Sequence, residues 1–167
     1  MDIVYKARVF ATAAHAAVTH VRKYTGEPYI VHPEEVVRTV AAYGATVEQL
    51  AAAWLHDTVE DTGVGQDLIV AEFGSIIGEY VFWLTDQTTP ADGNRAVRKK
   101  MDADRLALAP PEVQSVKYAD LISNTKSIIM HDKNFAKTYL KEKAYLLSVM
   151  NKGNQALYKL ALENIGG

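Results

Sequence analysis

The chain has 167 residues, of which 49% are hydrophobic and 23% charged, a composition that fits one globular domain and excludes an intrinsically disordered chain. Its 18 Lys and Arg residues oppose 20 Asp and Glu residues, and the formal net charge of -2 excludes a globally basic nucleic-acid-binding protein. The absence of cysteine excludes disulfides, thiolate metal sites and cysteine nucleophiles.

The sequence contains no apolar run of the roughly 18–20 residues that a membrane span requires. The first ten residues, MDIVYKARVF, lack the basic and then apolar pattern of a signal peptide. We therefore expect a soluble, cytoplasmic protein that binds neither membrane nor nucleic acid. These features do not decide between a monomer and a homo-oligomer.

Apolar residues recur at helical spacing along most of the chain, and no segment alternates apolar and polar residues as a strand would. The pattern predicts an all-α fold in one domain over residues 1–167, with about eight to ten helices. We expect helices at about 2–22, 33–43, 46–59, 66–73, 76–84, 95–107, 111–129, 134–150 and 154–164.

Local signals support several of these boundaries. Thr46 and Gln49 form the spacing of a capping box, which predicts the start of the third helix. Pro33 and Pro111 fit the first turns of their helices, where the missing N–H costs nothing. The polar segment 85–94 is predicted to be a mobile loop.

Two His-Asp dipeptides are candidates for chemistry, at residues 56–57 and 131–132. The first pair follows an apolar helical segment and precedes Glu60 and Asp61, so that four ionisable groups fall within six residues. If the helix continues, His56 shares a face with Glu60, and Asp57 with Asp61. Charges that emerge from a buried helix require partners, and a cation is the simplest one. The pair at 131–132 is instead interpreted as an exposed helix end.

Further residues that could complete a metal site are His32, at the start of a helix, and Asp120, within a mostly apolar helix. A lone aspartate in such a helix is costly unless it ligates a metal or pairs with a nearby lysine. Two imidazoles and two carboxylates suit Mn²⁺, and less decisively Fe²⁺ or Zn²⁺. Spacing alone does not favour His32 over His15 or His20, which we assign to the surface or the edge of the core.

Three segments together resemble a known family, the HD-domain metal-dependent phosphohydrolases and, more closely, the hydrolase domain of the RelA/SpoT alarmone enzymes. Residues 22–33 (RKYTGEPYIVHP) resemble the segment that opens that domain, and residues 55–62 (LHDTVEDT) match its HDxxED motif. Residues 117–120 (KYAD), followed by Asn124, resemble its KxAD-x-x-x-N motif. The likeness covers residues 5–160 approximately and is strongest with small, stand-alone alarmone hydrolases. This chain departs from the pattern at Tyr118 and Leu121, where leucine and a basic residue are usual.

The resemblance implies a helical HD-domain bundle and Mn²⁺-dependent hydrolysis of guanosine tetra- or pentaphosphate, (p)ppGpp, to GDP or GTP plus pyrophosphate. It implies a metal-ligand set of His32, His56, Asp57 and Asp120, and Glu60 and Asp61 as the catalytic carboxylates. It also implies the following contacts with the guanine nucleotide substrate: Arg22, Lys23, Asn124, Tyr139 and, less directly, Arg95.

Two other functions remain open from the sequence. The same metal set would serve another HD nucleotide phosphohydrolase, such as an NADPH 2′-phosphatase. An HD scaffold could also bind a nucleotide without turnover, although an incomplete metal set would then be expected. The residues Arg95–Lys100 could equally form a solvated helix face, and Tyr139 a core aromatic.

Overall fold

The computed structural model describes residues 1–166 as an α-helical protein. Within these residues, the one extended pairing is an isolated antiparallel bridge between Val21 and Pro28. The helices are α1 (Ile3–Ala17), α2 (Val31–Ala41), α3 (Val47–Leu55), α4 (Thr58–Thr62), α5 (Gln66–Phe73), α6 (Ser75–Leu84), a 3₁₀ helix (Pro90–Asp92), α7 (Arg95–Leu106), α8 (Pro111–His131), α9 (Lys133–Val149) and α10 (Gln155–Asn164). The prediction of an all-α fold is confirmed.

The described chain divides into two compact units, one formed by Met1–Thr85 and the other from Asp86 onward. The first unit contains α1 to α6, and the second contains the 3₁₀ helix and α7 to α10. The prediction of a single domain over residues 1–167 stays a prediction. None of the described helices is both long and apolar enough to cross a membrane.

Helix α3 is the centre of the first unit and packs against α1, α2 and α6. Ala51, Ala52 and Ala53 have no exposed surface. Small side chains at these positions allow neighbouring helices to approach closely. The helix begins with the predicted capping box, in which the Gln49 N–H donates to Thr46 Oγ1 over 3.2 Å and the Thr46 N–H donates to Gln49 Oε1 over 2.8 Å.

The predicted extent of the first helix, to about residue 22, is wrong because α1 ends at Ala17. Thr19 has φ of 50°, in the left-handed region that helices do not continue through. The His20 N–H then donates to the His15 carbonyl over 3.0 Å, which turns the chain back on the helix end. This reversal places His20 beside His15 instead of one turn further along a helix.

The third predicted helix is also interrupted, because α3 ends at Leu55 and α4 begins at Thr58. Asp57 has φ of -104° and ψ of 0°, outside the helical region, and is the N-cap residue of α4. The assumption that one helix aligns His56 with Glu60 is therefore wrong. Asp57 nevertheless stays close to the start of α4, since its carbonyl accepts the Asp61 N–H over 3.0 Å.

In the second unit, α8 packs against α9 and α10, and α7 packs against α9. A buried turn around Gly153 joins α9 to α10. The Tyr118 hydroxyl donates to the Met150 carbonyl over 2.8 Å and accepts the Gly153 N–H over 3.2 Å. Ser115 Oγ accepts the Asn154 N–H over 2.8 Å. The backbone of this turn therefore lies directly against α8.

Gly153→Ala is expected to destabilise the second unit. An added Cβ would lie 2.6 Å from Tyr118 Cε2 and 2.9 Å from the Ser115 backbone nitrogen, and neither the buried ring nor the helix backbone can yield cheaply. We expect a loss of about 1–3 kcal/mol in the free energy of unfolding, the usual cost of overpacking. Chemical denaturation followed by circular dichroism measures it.

Gly65→Ala is the matched control for that substitution. Gly65 has φ of -77°, and a Cβ there would meet nothing within 4 Å. Because Gly65 is an N-cap, the control should lose under about 1 kcal/mol. Equal losses in the two variants would contradict the assignment of the effect to close packing at residue 153.

Candidate metal centre

Three side chains of the first unit converge on one small region. His32 lies in the first turn of α2, while His56 and Asp57 lie at the α3–α4 break. The two Nε2 atoms are 3.3 Å apart, and Asp57 Oδ2 lies 3.1 Å from His56 Nε2 and 3.6 Å from His32 Nε2. Both imidazoles are almost fully buried. Two buried nitrogen donors therefore meet one oxygen of a partly exposed carboxylate.

A hydrogen bond to the backbone determines the tautomer of His56, and therefore which ring nitrogen can donate electrons to a metal. His56 Nδ1 lies 2.7 Å from the Ala53 carbonyl oxygen, which can only accept a hydrogen bond, so Nδ1 carries the proton. In the neutral ring, Nε2 then presents a lone pair to the Asp57 oxygen. Two electron-rich atoms at 3.1 Å repel unless a cation is shared between them. The cluster thus fits a divalent metal ion, for which imidazole and carboxylate are suitable donors.

Glu60 and Asp61 extend the carboxylate side of the cluster. Their carboxylate oxygens and that of Asp57 lie within 4.8 Å of one another. Both side chains are exposed, in contrast with the buried imidazoles. The first turn of α4 therefore offers two solvent-accessible carboxylates beside the His32, His56 and Asp57 cluster, where a water molecule can be held and deprotonated.

Asp120 lies on α8 of the second unit and is 4% exposed. Lys117 Nζ donates to its Oδ2 over 2.7 Å, and Asn124 Nδ2 donates to its Oδ1 over 3.0 Å. The ion pair with lysine, one of the two explanations that the sequence leaves open, is therefore present. The role of Asp120 as a metal ligand stays a prediction.

Two predicted substrate-binding residues lie in the loop between α1 and α2. The Arg22 side chain is 11% exposed, and its Nη1 lies 3.9 Å from Glu35 Oε2 without a hydrogen bond to any described residue. Lys23 is exposed, with its Nζ 5.4 Å from the centroid of the Tyr24 ring. The loop thus holds one partly buried guanidinium with unused donor capacity and one accessible ammonium.

The other predicted substrate-binding residues lie in the second unit and already have partners. Arg95 forms a two-point ion pair with Glu142, over 2.9 and 3.0 Å, and its guanidinium lies 5.0 Å from the Phe135 ring centroid. Tyr139 is 5% exposed, and burial raises the pKa of its hydroxyl to about 12. Asn124 Nδ2 already donates a hydrogen bond to Asp120 Oδ1. Substrate contacts by these residues stay predictions.

The second dipeptide, His131-Asp132, lies at a helix end, as the sequence analysis expected, with His131 exposed and Asp132 half-buried. His131 ends α8, and the Asp132 carboxylate caps α9 by accepting the Phe135 N–H over 3.1 Å. This is the usual function of an aspartate at a helix start. The structure thus gives Asp132 a capping role, and the assignment of His56-Asp57 as metal ligands stays a prediction.

His15 and His20 lie closer to the candidate centre than the sequence analysis expected. Their Nδ1 atoms are 3.1 Å apart, and both rings pack against Tyr29, at centroid distances of 4.8 and 3.8 Å. The Tyr29 hydroxyl donates to Asp57 Oδ2 over 2.6 Å. No acidic residue adjoins either histidine in sequence, so this group of rings has no signal in the spacing of residues along the chain.

Burial lowers the pKa of His15 to about 4. The carboxylate of Asp57 acts in the opposite direction, and the neighbouring His20, His56 and His32 lower the pKa further. Burial also lowers the pKa of His20, again opposed by Asp57. Both rings are therefore neutral at pH 7.

Comparison with known proteins identifies the family. The model of the HD domain family matches residues 7–128, and the chain belongs to that family. The match includes every residue of the candidate metal centre and of the predicted ligand set.

The chain is also similar to curated proteins of guanine nucleotide metabolism. It is 34% identical to a probable GTP pyrophosphokinase of Mycobacterium leprae over 129 residues, 77% of this chain and 16% of that protein. It is 38% identical to a guanosine-3′,5′-bis(diphosphate) 3′-pyrophosphohydrolase of Vibrio cholerae over 81 residues, 48% of this chain and 11% of that protein. The chain thus spans less than a quarter of the length of these relatives, which support the resemblance to RelA/SpoT enzymes.

Among solved structures, the fold is similar to that of a metazoan orthologue of SpoT that hydrolyses ppGpp. The TM-score is 0.85 at 22% sequence identity, and the match covers 99% of this chain and 94% of the other. At this identity the likeness establishes the fold alone. The HD-domain bundle expected from the sequence is therefore confirmed.

The depressed pKa of His15 makes stability depend on pH in a defined direction. Between the ordinary value of 6.5 and about 4, the unfolded chain binds more protons than the folded protein. The free energy of unfolding therefore falls as the pH is lowered through this interval, and His15 accounts for about 3 kcal/mol of that loss. His15→Asn lacks the titrating ring. Over the same pH interval, we therefore expect its free energy of unfolding to fall by about 3 kcal/mol less than that of the wild type.

Urea unfolding in the presence of EDTA, at pH values from 7 to 4, measures this difference. The exposed His131 provides the control, and His131→Asn is expected to follow the wild type. A His15→Asn variant with the same pH dependence as the wild type would contradict the assignment.

Proposed function

We propose that this chain is a metal-dependent hydrolase that removes the 3′-pyrophosphate of guanosine tetra- and pentaphosphate, giving GDP or GTP and pyrophosphate. The observation that carries the proposal is the cluster of His32, His56 and Asp57 beside the accessible carboxylates of Glu60 and Asp61. Membership of the HD domain family and similarity to the guanosine-3′,5′-bis(diphosphate) 3′-pyrophosphohydrolase of Vibrio cholerae support it.

The proposed ligands of the metal are His32, His56, Asp57 and Asp120. The first three are supported by their mutual distances, and Asp120 by the KxAD-x-x-x-N motif of the sequence. Mn²⁺ is the proposed ion, ahead of Fe²⁺ and Zn²⁺, and a set of imidazole and carboxylate donors accepts all three. A divalent cation, when bound, polarises a phosphoryl oxygen and lowers the pKa of water.

Glu60 and Asp61 are proposed to hold the attacking water and accept its proton. They are exposed and close to Asp57, and carboxylates that act on water need access to both solvent and substrate. Hydrolysis adds the water oxygen to the phosphorus of the 3′-pyrophosphate and breaks the bond from that phosphorus to the ribose 3′-oxygen. The ribose oxygen leaves with a proton, which balances the one removed from water.

The substrate is a polyanion with a guanine base, and Arg22 is the best supported of its proposed contacts. A planar guanidinium can stack on a purine and at the same time donate hydrogen bonds to phosphate. The ammonium group of lysine has no planar face and cannot combine the two contacts. Arg22 Nη1 has a long ion pair with Glu35 and no hydrogen bond to a described residue, so it has donor capacity left for a ligand. The other proposed contacts are Lys23, Arg95, Asn124 and Tyr139.

The defining experiment uses the purified chain, stripped of metal with EDTA and then supplied with Mn²⁺ and ppGpp. We expect GDP and pyrophosphate in equal amounts, resolved by ion-exchange chromatography, and no products without the metal. Turnover of NADPH without turnover of ppGpp would replace the proposal with a 2′-phosphatase. Tight binding of ppGpp without products would contradict enzymatic function.

Loss of a proposed ligand should abolish both metal binding and hydrolysis. Partners outside the ligand shell alone account for about 10–100-fold in metal affinity, so His56→Ala and Asp57→Asn should each weaken Mn²⁺ binding by more than about 100-fold. His131→Ala is the matched control, because it alters the other His-Asp dipeptide at an exposed helix end. Calorimetric Mn²⁺ titration and the ppGpp assay measure both effects. Retained Mn²⁺ affinity in both ligand variants would contradict the assignment.

Glu60→Gln and Asp61→Asn should separate chemistry from metal binding. Each substitution keeps the size of the side chain but removes the carboxylate, so the proton of water has no acceptor. We expect at least one variant to lose about 10²–10⁴-fold in kcat with little change in KM. Metal content, measured by atomic emission, should stay at the wild-type level. Loss of metal from both variants would show that these carboxylates support the metal instead.

A further inference from the structure

One hydrogen bond reaches the candidate metal centre from outside its ligand set. The Tyr29 hydroxyl donates to Asp57 Oδ2 over 2.6 Å. This is the same oxygen that lies 3.1 Å from His56 Nε2 and 3.6 Å from His32 Nε2. A bond of this length from a hydroxyl to a carboxylate is charge-assisted and stronger than a neutral one.

The direction of this bond constrains the Asp57 carboxylate. Rotation about the bond that carries the carboxylate is soft in an isolated aspartate. Exchange of the two oxygens would break the short bond from Tyr29. One lone pair of Oδ2 is therefore occupied by the tyrosine, and another remains for the side of the two imidazoles.

The Tyr29 ring is itself held in place by two histidines. The His20 ring stacks on it at a centroid distance of 3.8 Å and an interplanar angle of 17°. The His15 ring lies 4.8 Å away, and the Tyr29 N–H donates to the His20 carbonyl over 3.1 Å. The hydroxyl thus approaches Asp57 from a fixed position, and the reversal of the chain after α1 is what brings His20 to the ring.

We infer that Tyr29 is a positioning residue for the candidate metal centre, which fixes Asp57 Oδ2 toward the two imidazole nitrogens, and that His20 holds the Tyr29 ring in place. The inference rests on the proposed function, since it concerns the metal-ligand set proposed there. Tyr29 acts through Asp57 and needs no contact with substrate. We expect Tyr29 to raise the affinity of the site for metal, because a carboxylate that is already oriented loses less conformational freedom when a cation binds.

Tyr29→Phe is the direct test, with Tyr5→Phe as the matched control. The control makes the same chemical change at a tyrosine that is 54% exposed on α1. Metal-free protein is titrated with Mn²⁺ by calorimetry. We expect Tyr29→Phe to bind Mn²⁺ about 10–100-fold more weakly than the wild type, and Tyr5→Phe to bind it equally well.

Two further measurements separate positioning from a merely structural role. Thermal unfolding in EDTA should give nearly the same midpoint for Tyr29→Phe and the wild type, since the ring and its packing are kept. Hydrolysis by Tyr29→Phe should recover when Mn²⁺ is raised to saturation, because the catalytic carboxylates are unchanged. A variant that stays impaired at saturating Mn²⁺, or that loses affinity only as it unfolds, would overturn the inference.

The role of His20 is tested without touching the hydroxyl. His20→Phe keeps a ring to stack on Tyr29, whereas His20→Ala removes it. We expect weaker Mn²⁺ binding in His20→Ala than in His20→Phe. Equal affinities in these two variants would overturn the assignment of His20, and this comparison stands even if Tyr29→Phe does not fold.

Titration of the wild-type protein with Mn²⁺ distinguishes failure of the proposed function from failure of the inference about Tyr29. A wild-type protein that binds no Mn²⁺ would overturn the metal centre and with it the proposed function. A wild-type protein that binds Mn²⁺, together with a Tyr29→Phe variant of equal affinity, would overturn the inference about Tyr29 and leave the proposed function intact.

Discussion

The first unit is organised around one carboxylate oxygen, Asp57 Oδ2, which meets a phenol hydroxyl and two imidazole nitrogens within 3.6 Å. The Asp57 side chain is 14% exposed, and a carboxylate largely removed from water needs positive charge or hydrogen bonds from the groups around it. Tyr29 supplies one hydrogen bond. His56 Nδ1 lies against the Ala53 carbonyl, so in the neutral ring Nε2 presents a lone pair to Oδ2, an arrangement that a cation would stabilise.

Several features of the fold serve this arrangement. The alanines of α3 bring the helix close to its neighbours, and the break after Leu55 turns Asp57 out of the helix. The new helix, α4, places Glu60 and Asp61 in its first turn, next to the same carboxylate. The centre therefore has a buried nitrogen side and a solvated carboxylate side. This asymmetry suits the proposed hydrolase, because water can reach Glu60 and Asp61 from solvent.

The second unit is basic despite the net charge of -2 on the whole chain, because the sequence from Asp86 onward has 13 Lys and Arg residues and 9 Asp and Glu residues. A small cavity of about 30 Å³ is lined by the lysines Lys99, Lys117 and Lys143 and by the carboxylates Asp86, Asp102 and Glu142. Burial lowers the pKa of Lys143 to about 8, and the ammonium groups of Lys117 and Lys99 lower it further. A global charge count averages over the two units, which is why the overall acidity excludes a basic protein but not a basic unit.

The sequence alone determined the helical class and most helix boundaries, and it predicts His56-Asp57 in place of His131-Asp132 as metal ligands. These are local properties, set by apolar periodicity, capping residues and the charges that follow a motif. The break at Asp57, the early end of α1 and the assembly of His15, His20 and Tyr29 around one carboxylate were decided only by the tertiary structure. Backbone torsions at a helix end depend on what the turned chain can pack against. His20 stacks on Tyr29 because the chain reverses at Thr19, and the periodicity of the sequence does not indicate this reversal.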